Sequence, residues 1–359
     1  MKTETKRRRA ATMDAIDPAA GLGRAEVHAP SNVRSIAPEP AADPAFAADV
    51  LEGLDEDQKR IPCIWLYDHR GSELFEEITR VAEYYPTRTE MRLLEGLAPE
   101  LGAAVGGVHT LVEIGSGSSR KTRLLLAALR GLRRYVPVDI SAEFLHDAVA
   151  GLAKDFPAVA MQPLVADFSA PFTLPAWPAG DRGAAPSDSA GVLGFFPGST
   201  IGNFTPDAAI ELLARLGEAL GPQARLLIGV DTTQDPALLI PAYDDAAGVT
   251  AEFDLNLLDR INRELGGDFD RGGFRHLARH DPLLGRVEMH LVSQRAQSVR
   301  VLGHTFVFAE GETIHTENAY KYPPTEFLRM AHSAHWRCER SWRDAGRTGF
   351  TVYLLRGAA

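Results

Sequence analysis

The segment that decides the fold is Leu111-Val-Glu-Ile-Gly-Ser-Gly-Ser-Ser-Arg-Lys121, in which an apolar run is followed by two glycines and by a helical pattern that continues to Leu129. This order predicts a β-strand, a tight turn and an α-helix. Glycines permit a sharp turn and a close approach of the backbone to a ligand, and the free N–H groups of a helix N-terminus favour a polar or anionic group. The segment therefore predicts a ligand-binding turn at the edge of a sheet.

Two further predicted strands end in acidic residues. Tyr135-Val-Pro-Val-Asp139 places a carboxylate where it would accept hydrogen bonds from ribose hydroxyls, and Gln162-Pro-Leu-Val-Ala-Asp-Phe168 ends in an acid beside an aromatic ring. These strand ends predict an adenosine-containing cofactor across the carboxyl edge of the sheet. The alternative is an ordinary αβ turn with capping acids, because the third glycine of the dinucleotide fingerprint is missing and Ser119 stands near its place.

The composition is that of a soluble globular protein. The chain has 359 residues, 45% of them hydrophobic and 24% charged, with a net charge of −10. The negative charge argues against nucleic acid or an anionic membrane as a partner, and no apolar run approaches the roughly 18 residues of a membrane span. The chain has two cysteines, Cys63 and Cys338, which are far apart and lack the spacing of metal ligands. So few cysteines are typical of a protein in a reducing compartment and argue against a disulfide framework or a zinc site. We therefore expect a cytoplasmic monomer that acts on a small molecule.

The pattern along the chain predicts an α/β protein. Helical and strand patterns alternate from Glu90 to Asp231, and the strands are apolar on both faces, as in a parallel sheet between helices. After a helical stretch, period-two alternation from Phe274 to Tyr320 predicts an antiparallel meander. A last helix and two strands predict a reversed hairpin at the end of the sheet. The prediction is a Rossmann-like class I methyltransferase sheet with a terminal reversed β-hairpin, plus a second α+β domain.

Two short patterns need a separate interpretation, a histidine pair and a pair of tyrosines before a proline. His276 and His280 are four residues apart, which suits a metal pair on a helix, but they lie in a predicted strand without a third ligand, so no metal is predicted. Tyr84-Tyr85-Pro86 is predicted to be extended, because the residue before a proline avoids the α region.

Many short segments, in order, resemble the L-histidine Nα-methyltransferase family of ergothioneine biosynthesis, whose members are amino-acid Nα-methyltransferases. The resemblance covers residues 51–355. Its strongest carriers are Tyr67-Asp68, Gly71-Ser72, Tyr84-Tyr85-Pro86-Thr87-Arg88, Glu113-Ile-Gly-Ser-Gly117 and Lys121-Thr122. Other matching segments are Gly198-Ser-Thr-Ile-Gly-Asn203, Ala242-Tyr-Asp-Asp245, Gly248-Val-Thr250, Ile261-Asn-Arg-Glu-Leu265, Glu288-Met289 and His315-Thr-Glu317.

The resemblance implies an activity and a domain organisation. The activity is trimethylation of the α-amino group of L-histidine by S-adenosyl-L-methionine (SAM), which gives hercynine. The implied domains are a substrate-binding domain in two parts (48–88 and 232–320) and a methyltransferase domain in two parts (89–231 and 321–359). Residues 1–47 are predicted to be a disordered tail from their composition, which is rich in alanine, proline and charge and lacks periodicity.

The resemblance also implies the binding residues. The cofactor would be bound by Gly115, Gly117, Lys121, Asp139, Asp167 and Phe168, with Asp139 on the ribose, Asp167 on the adenine amine and Phe168 beside the ring. The amine and carboxylate of the substrate would be held by Tyr84, Asn203 and Tyr243, assisted through water by Tyr67, with Gly198 in the same loop. Met289 and Glu317 would form the side-chain pocket, in which Glu317 accepts a hydrogen bond from the imidazole.

One position departs from the family. Where the histidine enzyme has a serine two residues after the pocket glutamate, this chain has Ala319. The lost hydrogen bond is worth about 0.5–1.5 kcal/mol, and water or Asn318 is expected to replace it. The departure leaves open tryptophan or tyrosine as the substrate. Further alternatives are a non-catalytic SAM-binding regulatory protein and a nucleotide-dependent oxidoreductase.

Overall fold

The computed structural model describes residues 43–117, 120–176 and 191–358. Most of the predicted tail lies outside these ranges, but its last residues are folded, so the predicted boundary at residue 47 was wrong. Helix α1 (Pro44–Asp55) begins with Asp43 as its N-cap, whose carboxylate accepts from the Ala45 N–H, and with proline in the first turn. Phe46 in this helix is completely buried.

A large mixed sheet confirms the predicted fold class. Its strands are β1 (Thr110–Ile114), β2 (Arg134–Asp139), β3 (Ala160–Met161), β4 (Leu164–Val165), β5 (Val192–Phe196), β6 (Arg225–Val230), β12 (Trp336–Arg343) and β13 (Thr351–Gly357). The order is β12-β13-β6-β5-β1-β2-β3, with β4 beside the end of β2. Strands β1 to β6 pair with one another in parallel, whereas β13 is antiparallel to both β6 and β12, which is the predicted reversed hairpin.

Five helices accompany this sheet along the chain: α3 (Tyr85–Val105), α4 (Arg120–Ala128), α5 (Ala142–Asp155), α6 (Pro206–Leu220) and α9 (Pro324–Ser333). Two hydrophobic clusters involve the strands of this sheet, one with α6 and α9 and the other with α3 and α4. Within the described residues, no helix has both the length and the apolar character required to cross a bilayer.

The remaining elements form two smaller sheets with their own helices. These elements are α2 (His69–Ile78), α7 (Pro236–Tyr243), α8 (Val249–Leu265), β7 (Phe274–Asp281), β8 (Arg286–Ser293), β9 (Gln297–Val301), β10 (His304–Phe308) and β11 (Thr313–Tyr320). The strands pair as β11-β8-β7 and, separately, as β10-β9, so the prediction of one continuous meander was wrong. Leu302 and Gly303 both have positive φ, which closes β9 and β10 into a tight hairpin and lets β11 return to β8.

A third hydrophobic cluster joins residues of the range 46–84 to residues of the range 239–319. The contacts nevertheless unite the chain from residue 43 onward in one compact unit. The division into a methyltransferase domain and a substrate-binding domain therefore stays a prediction.

The segment Tyr84-Tyr85-Pro86 has a different secondary structure from the one predicted. Helix α3 begins at Tyr85 and continues through Pro86, so the expectation of an extended segment before a helix at Glu90 was wrong. Proline is tolerated in the first turn of a helix, where its missing N–H has no partner to lose. Tyr84 remains outside the helix as its N-cap, with φ −77° and ψ 80°. The two tyrosines therefore diverge, and Tyr85 donates to the buried carboxylate of Asp231.

His276 on β7 connects three elements. Its Nδ1 lies 2.7 Å from Oδ2 of Asp254 on α8, and its Nε2 lies 2.8 Å from the carbonyl oxygen of Tyr243 at the end of α7. Both partners accept, so the ring donates from both nitrogens and is protonated. Burial alone would lower the pKa of His276, but the hydrogen bond and charge of Asp254 raise it above its usual value. Neither ring nitrogen is available to a metal.

We expect His276→Gln to lower the free energy of unfolding by about 3 kcal/mol, because it leaves Asp254 as a buried, unpaired charge. The pKa of His276 is higher in the folded state, so its stabilisation is complete below the unfolded pKa of 6.5 and is lost as the pH rises through the folded pKa. Urea denaturation at pH 6 and pH 9 measures this change. The matched control is the exposed His304→Gln. An equal destabilisation at both pH values would contradict the protonated state.

Candidate functional site

One cleft opens at the carboxyl ends of β1, β2 and β5 and continues toward β11 and α7. It brings together all of the predicted site residues except Met289 and Lys121. The predicted residues that line it are Tyr67, Tyr84, Gly115, Gly117, Asp139, Asp167, Phe168, Gly198, Asn203, Tyr243, Glu317 and Ala319. The cleft therefore contains residues from both predicted binding sets.

The glycine turn after β1 forms one wall of the cleft. Gly115 and Gly117 have φ angles of 69° and 44°, which side-chain-bearing residues rarely adopt. The turn lies beside Asp139 at the end of β2, and the carboxylate of Asp139 accepts from the Ser141 N–H at 3.0 Å. Burial raises the pKa of Asp139, although backbone N–H groups, including that of Gly117, oppose the rise. A carboxylate acceptor thus stands next to two glycines that carry no side chains, which leaves room for a sugar.

Asp167 and Phe168 form the neighbouring wall, after β4. One carboxylate oxygen of Asp167 accepts from the backbone N–H and the hydroxyl of Ser169, at 2.8 and 2.6 Å, which fixes the turn. The Phe168 ring packs against Phe196, with ring centroids 5.7 Å apart. A Cβ on Gly115 would lie 3.8 Å from the Phe168 ring, so the ring faces the glycine turn. An apolar face beside a carboxylate suits a purine base.

Lys121 lies in a pocket that adjoins the cleft and shares Gly115 and Gly117 with it. Its ammonium group lies 2.6 Å from Oε2 of Glu90, which is completely buried. The same oxygen accepts from the Gly198 N–H at 2.8 Å. Lys121 therefore acts on the cleft through Glu90, which connects the helix after the glycine turn to the loop after β5.

The loop after β5 brings Asn203 to the opposite wall. It contains a 3₁₀ turn at Thr200–Asn203, preceded by Ser199 in the left-handed region (φ 59°). A Cβ on Gly202 would lie only 2.6 Å from the Tyr320 carbonyl oxygen, so only glycine permits the turn to lie this close to β11. The Asn203 amide then donates to Oε1 of Glu317 at 3.0 Å.

Glu317 is a buried carboxyl group that has no cation in hydrogen-bond contact among the residues that the structure describes. It is 8% exposed, and the Tyr67 hydroxyl also donates to its Oε1, at 3.4 Å. Burial raises the pKa of Glu317 to about 8, the charge of Asp254 adds to the rise, and the hydrogen bonds from Tyr67 and Asn203 oppose it. Such a group gains stability from a ligand that brings an N–H donor or a positive charge.

The strand β11 decides which of its side chains reach the cleft. Ala319 lies two residues after Glu317 and faces the same side, whereas Asn318 points the other way and is not among the residues lining the cleft. The expectation that Asn318 replaces the missing serine was therefore wrong. Met289 is the cross-strand neighbour of Glu317 on β8 and is 2% exposed, so it supports Glu317 without lining the cleft.

Aromatic rings enclose the part of the cleft between the glycine turn and Glu317. The Tyr84 and Tyr243 rings are 6.1 Å apart and nearly perpendicular, and Phe75 packs edge-on against Tyr67 and Tyr84. Burial raises the pKa of all three tyrosines well above the usual value, so their hydroxyls stay neutral. The enclosure can therefore orient an amine by hydrogen bonds and ring faces without giving it a proton.

Several residues of the cleft are not predicted from the sequence. Cys63, Ile64 and Phe75 come from the N-terminal segment, and Phe204 follows Asn203 directly. The aromatic content of these segments is the only local signal for them. Lys321 donates a hydrogen bond to the Tyr243 hydroxyl. No sequence pattern predicts this contact, because an isolated lysine after a strand is usually exposed.

Comparisons with known proteins show what this chain is similar to. A family described as "Histidine-specific methyltransferase, SAM-dependent" matches residues 46–357. The histidine N-alpha-methyltransferases of Mycolicibacterium smegmatis and Mycobacterium tuberculosis are 41% and 40% identical to this chain, over 87% and 88% of it and 96% of each relative. The ergothioneine biosynthesis protein 1 of Neurospora crassa is 33% identical over 83% of this chain and 33% of its own length.

The family match covers nearly all of the described chain, and the two bacterial relatives align over almost their whole length. The chain belongs to the SAM-dependent, histidine-specific methyltransferase family.

Proposed function

We propose that this enzyme transfers methyl groups from SAM to the α-amino nitrogen of L-histidine, three times in succession, to give hercynine for ergothioneine biosynthesis. The observation that carries the proposal is the position of Glu317. Within the described part of the chain, no cation is in hydrogen-bond contact with this buried carboxyl group, which lies in the same cleft as the glycine turn, where an imidazole would supply a donor. The cytoplasmic location and the monomeric state of the enzyme stay predictions.

The residues of the first two walls fit the cofactor. Asp139 would accept from the ribose hydroxyls, Asp167 would accept from the adenine amine, and Phe168 would pack on the ring. Gly115 and Gly117 keep the space beside these groups free of side chains. Bound SAM would supply a methyl group for in-line transfer to a neutral amine, with S-adenosylhomocysteine as the leaving group.

The substrate side would act by orientation. Displacement requires the lone pair of the amine to point at the methyl group, so positioning contributes much of the rate. Tyr84, Tyr243 and Asn203 would hold the amine and carboxylate, while Glu317 binds the imidazole at the other end. The faces of Tyr84 and Phe75 also suit a trimethylammonium product, because aromatic rings attract a desolvated cation by about 1–2 kcal/mol.

A second candidate keeps the reaction and changes the amino acid. Ala319 lies beside Glu317 and offers no hydroxyl to the second imidazole nitrogen, so this part of the cleft is more apolar than a histidine pocket requires. Tryptophan or tyrosine is the alternative substrate that this position favours.

Incubation of the protein with SAM and each amino acid separately tests the proposal. We expect mass increases of one, two and three methyl groups on histidine and none on the other amino acids. Methylation of tryptophan or tyrosine in place of histidine would establish the second candidate. The absence of any product from every amino acid, in a preparation that binds S-adenosylhomocysteine, would refute both.

Ala319→Ser tests the pocket directly. We expect the variant to lower the KM for histidine by a factor of about two to ten, because one neutral hydrogen bond is worth about 0.5–1.5 kcal/mol. The kcat should change little, since the reacting amine lies at the other end of the substrate. Steady-state kinetics measure both constants. A KM for histidine that does not fall would show that the imidazole does not reach residue 319.

Glu317→Gln should stabilise the protein at alkaline pH. The pKa of Glu317 rises from 4.5 to about 8 on folding, so the folded state holds the proton more tightly. This contribution is complete below pH 4.5 and is lost as the pH rises through 8. The variant should therefore gain stability relative to the wild type between pH 5 and 9, by at most about 1.4 kcal/mol per pH unit.

The same variant should bind histidine at least about tenfold more weakly, because a hydrogen bond to a charged group is lost. The control for both measurements is Glu310→Gln, which removes one exposed carboxylate between β10 and β11. Urea denaturation at several pH values and calorimetry with histidine give the two results. A stability difference that does not vary with pH would contradict the raised pKa.

A further inference from the structure

A buried polar group of four residues lies directly behind the substrate side of the cleft. Lys321, just after β11, is 2% exposed, and its ammonium group lies 2.7 Å from the Tyr243 hydroxyl and 3.0 Å from Oδ2 of Asp231. Asp231 is completely buried, and its Oδ2 also accepts from the Tyr85 hydroxyl at 2.6 Å. We call Lys321, Asp231, Tyr85 and Tyr243 the lysine cluster.

The backbone fixes the position of the ammonium group. The Lys321 N–H donates to the Gly285 carbonyl at 2.7 Å, and the Lys321 carbonyl accepts from the Gln234 amide at 2.8 Å. Asp231 is fixed as well, because its Oδ1 accepts from the Thr233 N–H at 3.1 Å. A buried lysine and a buried aspartate remain charged only when each satisfies the other in this way. The cluster therefore holds the ammonium group of Lys321 beside the Tyr243 hydroxyl.

The contact decides the role of the Tyr243 hydroxyl. An ammonium group has three donors and no acceptor, so the oxygen of Tyr243 must accept from Lys321. The proton of Tyr243 must then be donated to something else. Among the described residues, the Tyr243 hydroxyl has no hydrogen-bond acceptor, and the side chain lines the cleft. Its proton is therefore available to the substrate.

The chemistry of the reaction identifies the acceptor. The lone pair of the α-amine must stay free to attack the methyl group, so a hydroxyl that can only donate would block the reaction if it bound the amine. The carboxylate of the amino acid offers lone pairs that take no part in the transfer. The nearby Lys321 charge also favours an anion and disfavours an ammonium group.

Tyr84 provides a contrast within the same cleft. Its ring lies 6.1 Å from that of Tyr243, but its hydroxyl has no hydrogen bond with any described residue. It can therefore accept from the N–H groups of the amine as well as donate.

We propose that Lys321 is a positioning residue that commits the Tyr243 hydroxyl to donating a hydrogen bond to the substrate's carboxylate, which leaves the amine to Tyr84. This inference rests on the proposed methylation of an amino acid. In this arrangement the ammonium group of Lys321 orients the substrate through Tyr243, without contacting the substrate itself.

The test compares histidine with histamine, which lacks the carboxylate. Dissociation constants are measured by calorimetry on the full-length protein saturated with S-adenosylhomocysteine. The variant is Lys321→Met/Asp231→Asn, which removes both charges and so leaves no buried charge unpaired. We expect its preference for histidine over histamine to fall by about tenfold or more, the effect typical of one hydrogen bond to a charged group. In turnover, the KM for histidine should rise more than the kcat falls.

Tyr243→Phe supplies a second variant, which leaves the Lys321–Asp231 pair in place. It should lose the same preference, and adding the two charge-removing substitutions to it should cause less than about a twofold further change, because residues that act through one hydrogen bond are not additive. Thermal unfolding with S-adenosylhomocysteine confirms that each variant is folded.

Three results would overturn the inference: an unchanged preference in Tyr243→Phe, an equal loss of both ligands in the charge-free variant, or additive effects of the two changes. Each would mean that Lys321 only supports the fold. A wild-type protein that methylates no amino acid would instead refute the proposed function, so the two failures are distinguishable.

Discussion

The close approach of the Thr200–Asn203 turn to strand β11 is the constraint on which the site depends. Gly202 makes this approach possible, because any side chain there would collide with the Tyr320 backbone. The turn follows β5 of the large sheet, whereas β11 belongs to the three-stranded sheet β11-β8-β7. Their contact joins the half of the cleft that suits a nucleoside to the half that suits an amino acid. The hydrogen bond from Asn203 to Glu317 is the direct result.

The buried charges around the cleft divide into satisfied and unsatisfied groups. Lys121 is neutralised by Glu90, and Lys321 by Asp231, so both pairs can remain charged inside the protein. Glu317 receives hydrogen bonds from the neutral side chains of Tyr67 and Asn203, and its burial, together with the charge of Asp254, raises its pKa. A fold selected for stability alone would avoid such a group, and its presence is typical of a site that is completed by a ligand.

The sequence predicts the large sheet well, because its signals are local. Gly115 and Gly117 follow an apolar strand, Asp139 ends the next strand, and regular alternation continues to β6. The resemblance to a family then adds residues from distant segments, such as Tyr84 and Glu317. Without it, nothing in the local pattern shows that Glu317 is buried, since a glutamate in a strand normally faces solvent.

The errors have physical causes that a local pattern does not reveal. The rule about residues before proline predicted an extended Tyr85, but the first turn of a helix tolerates proline, and α3 begins there. Period-two alternation predicts strands and says little about which strands pair, so the separate β9–β10 hairpin was missed. The contacts of Lys321 with Tyr243 and Asp231 depend on chain segments about 80 to 90 residues apart, which only the folded structure brings together.

Strand β11 presents Glu317 and Ala319 to the cleft on one face, and Lys321 follows in the same period. The side-chain end of a substrate would be read at the first two positions and its amino-acid end, through Tyr243, at the last. Because these positions follow one another along β11 and the residue just after it, a substitution at 317 or 319 would, under the proposed function, change which amino acid is accepted without moving the reacting amine. Substrate specificity could therefore change during evolution while the residues that serve methyl transfer stay the same.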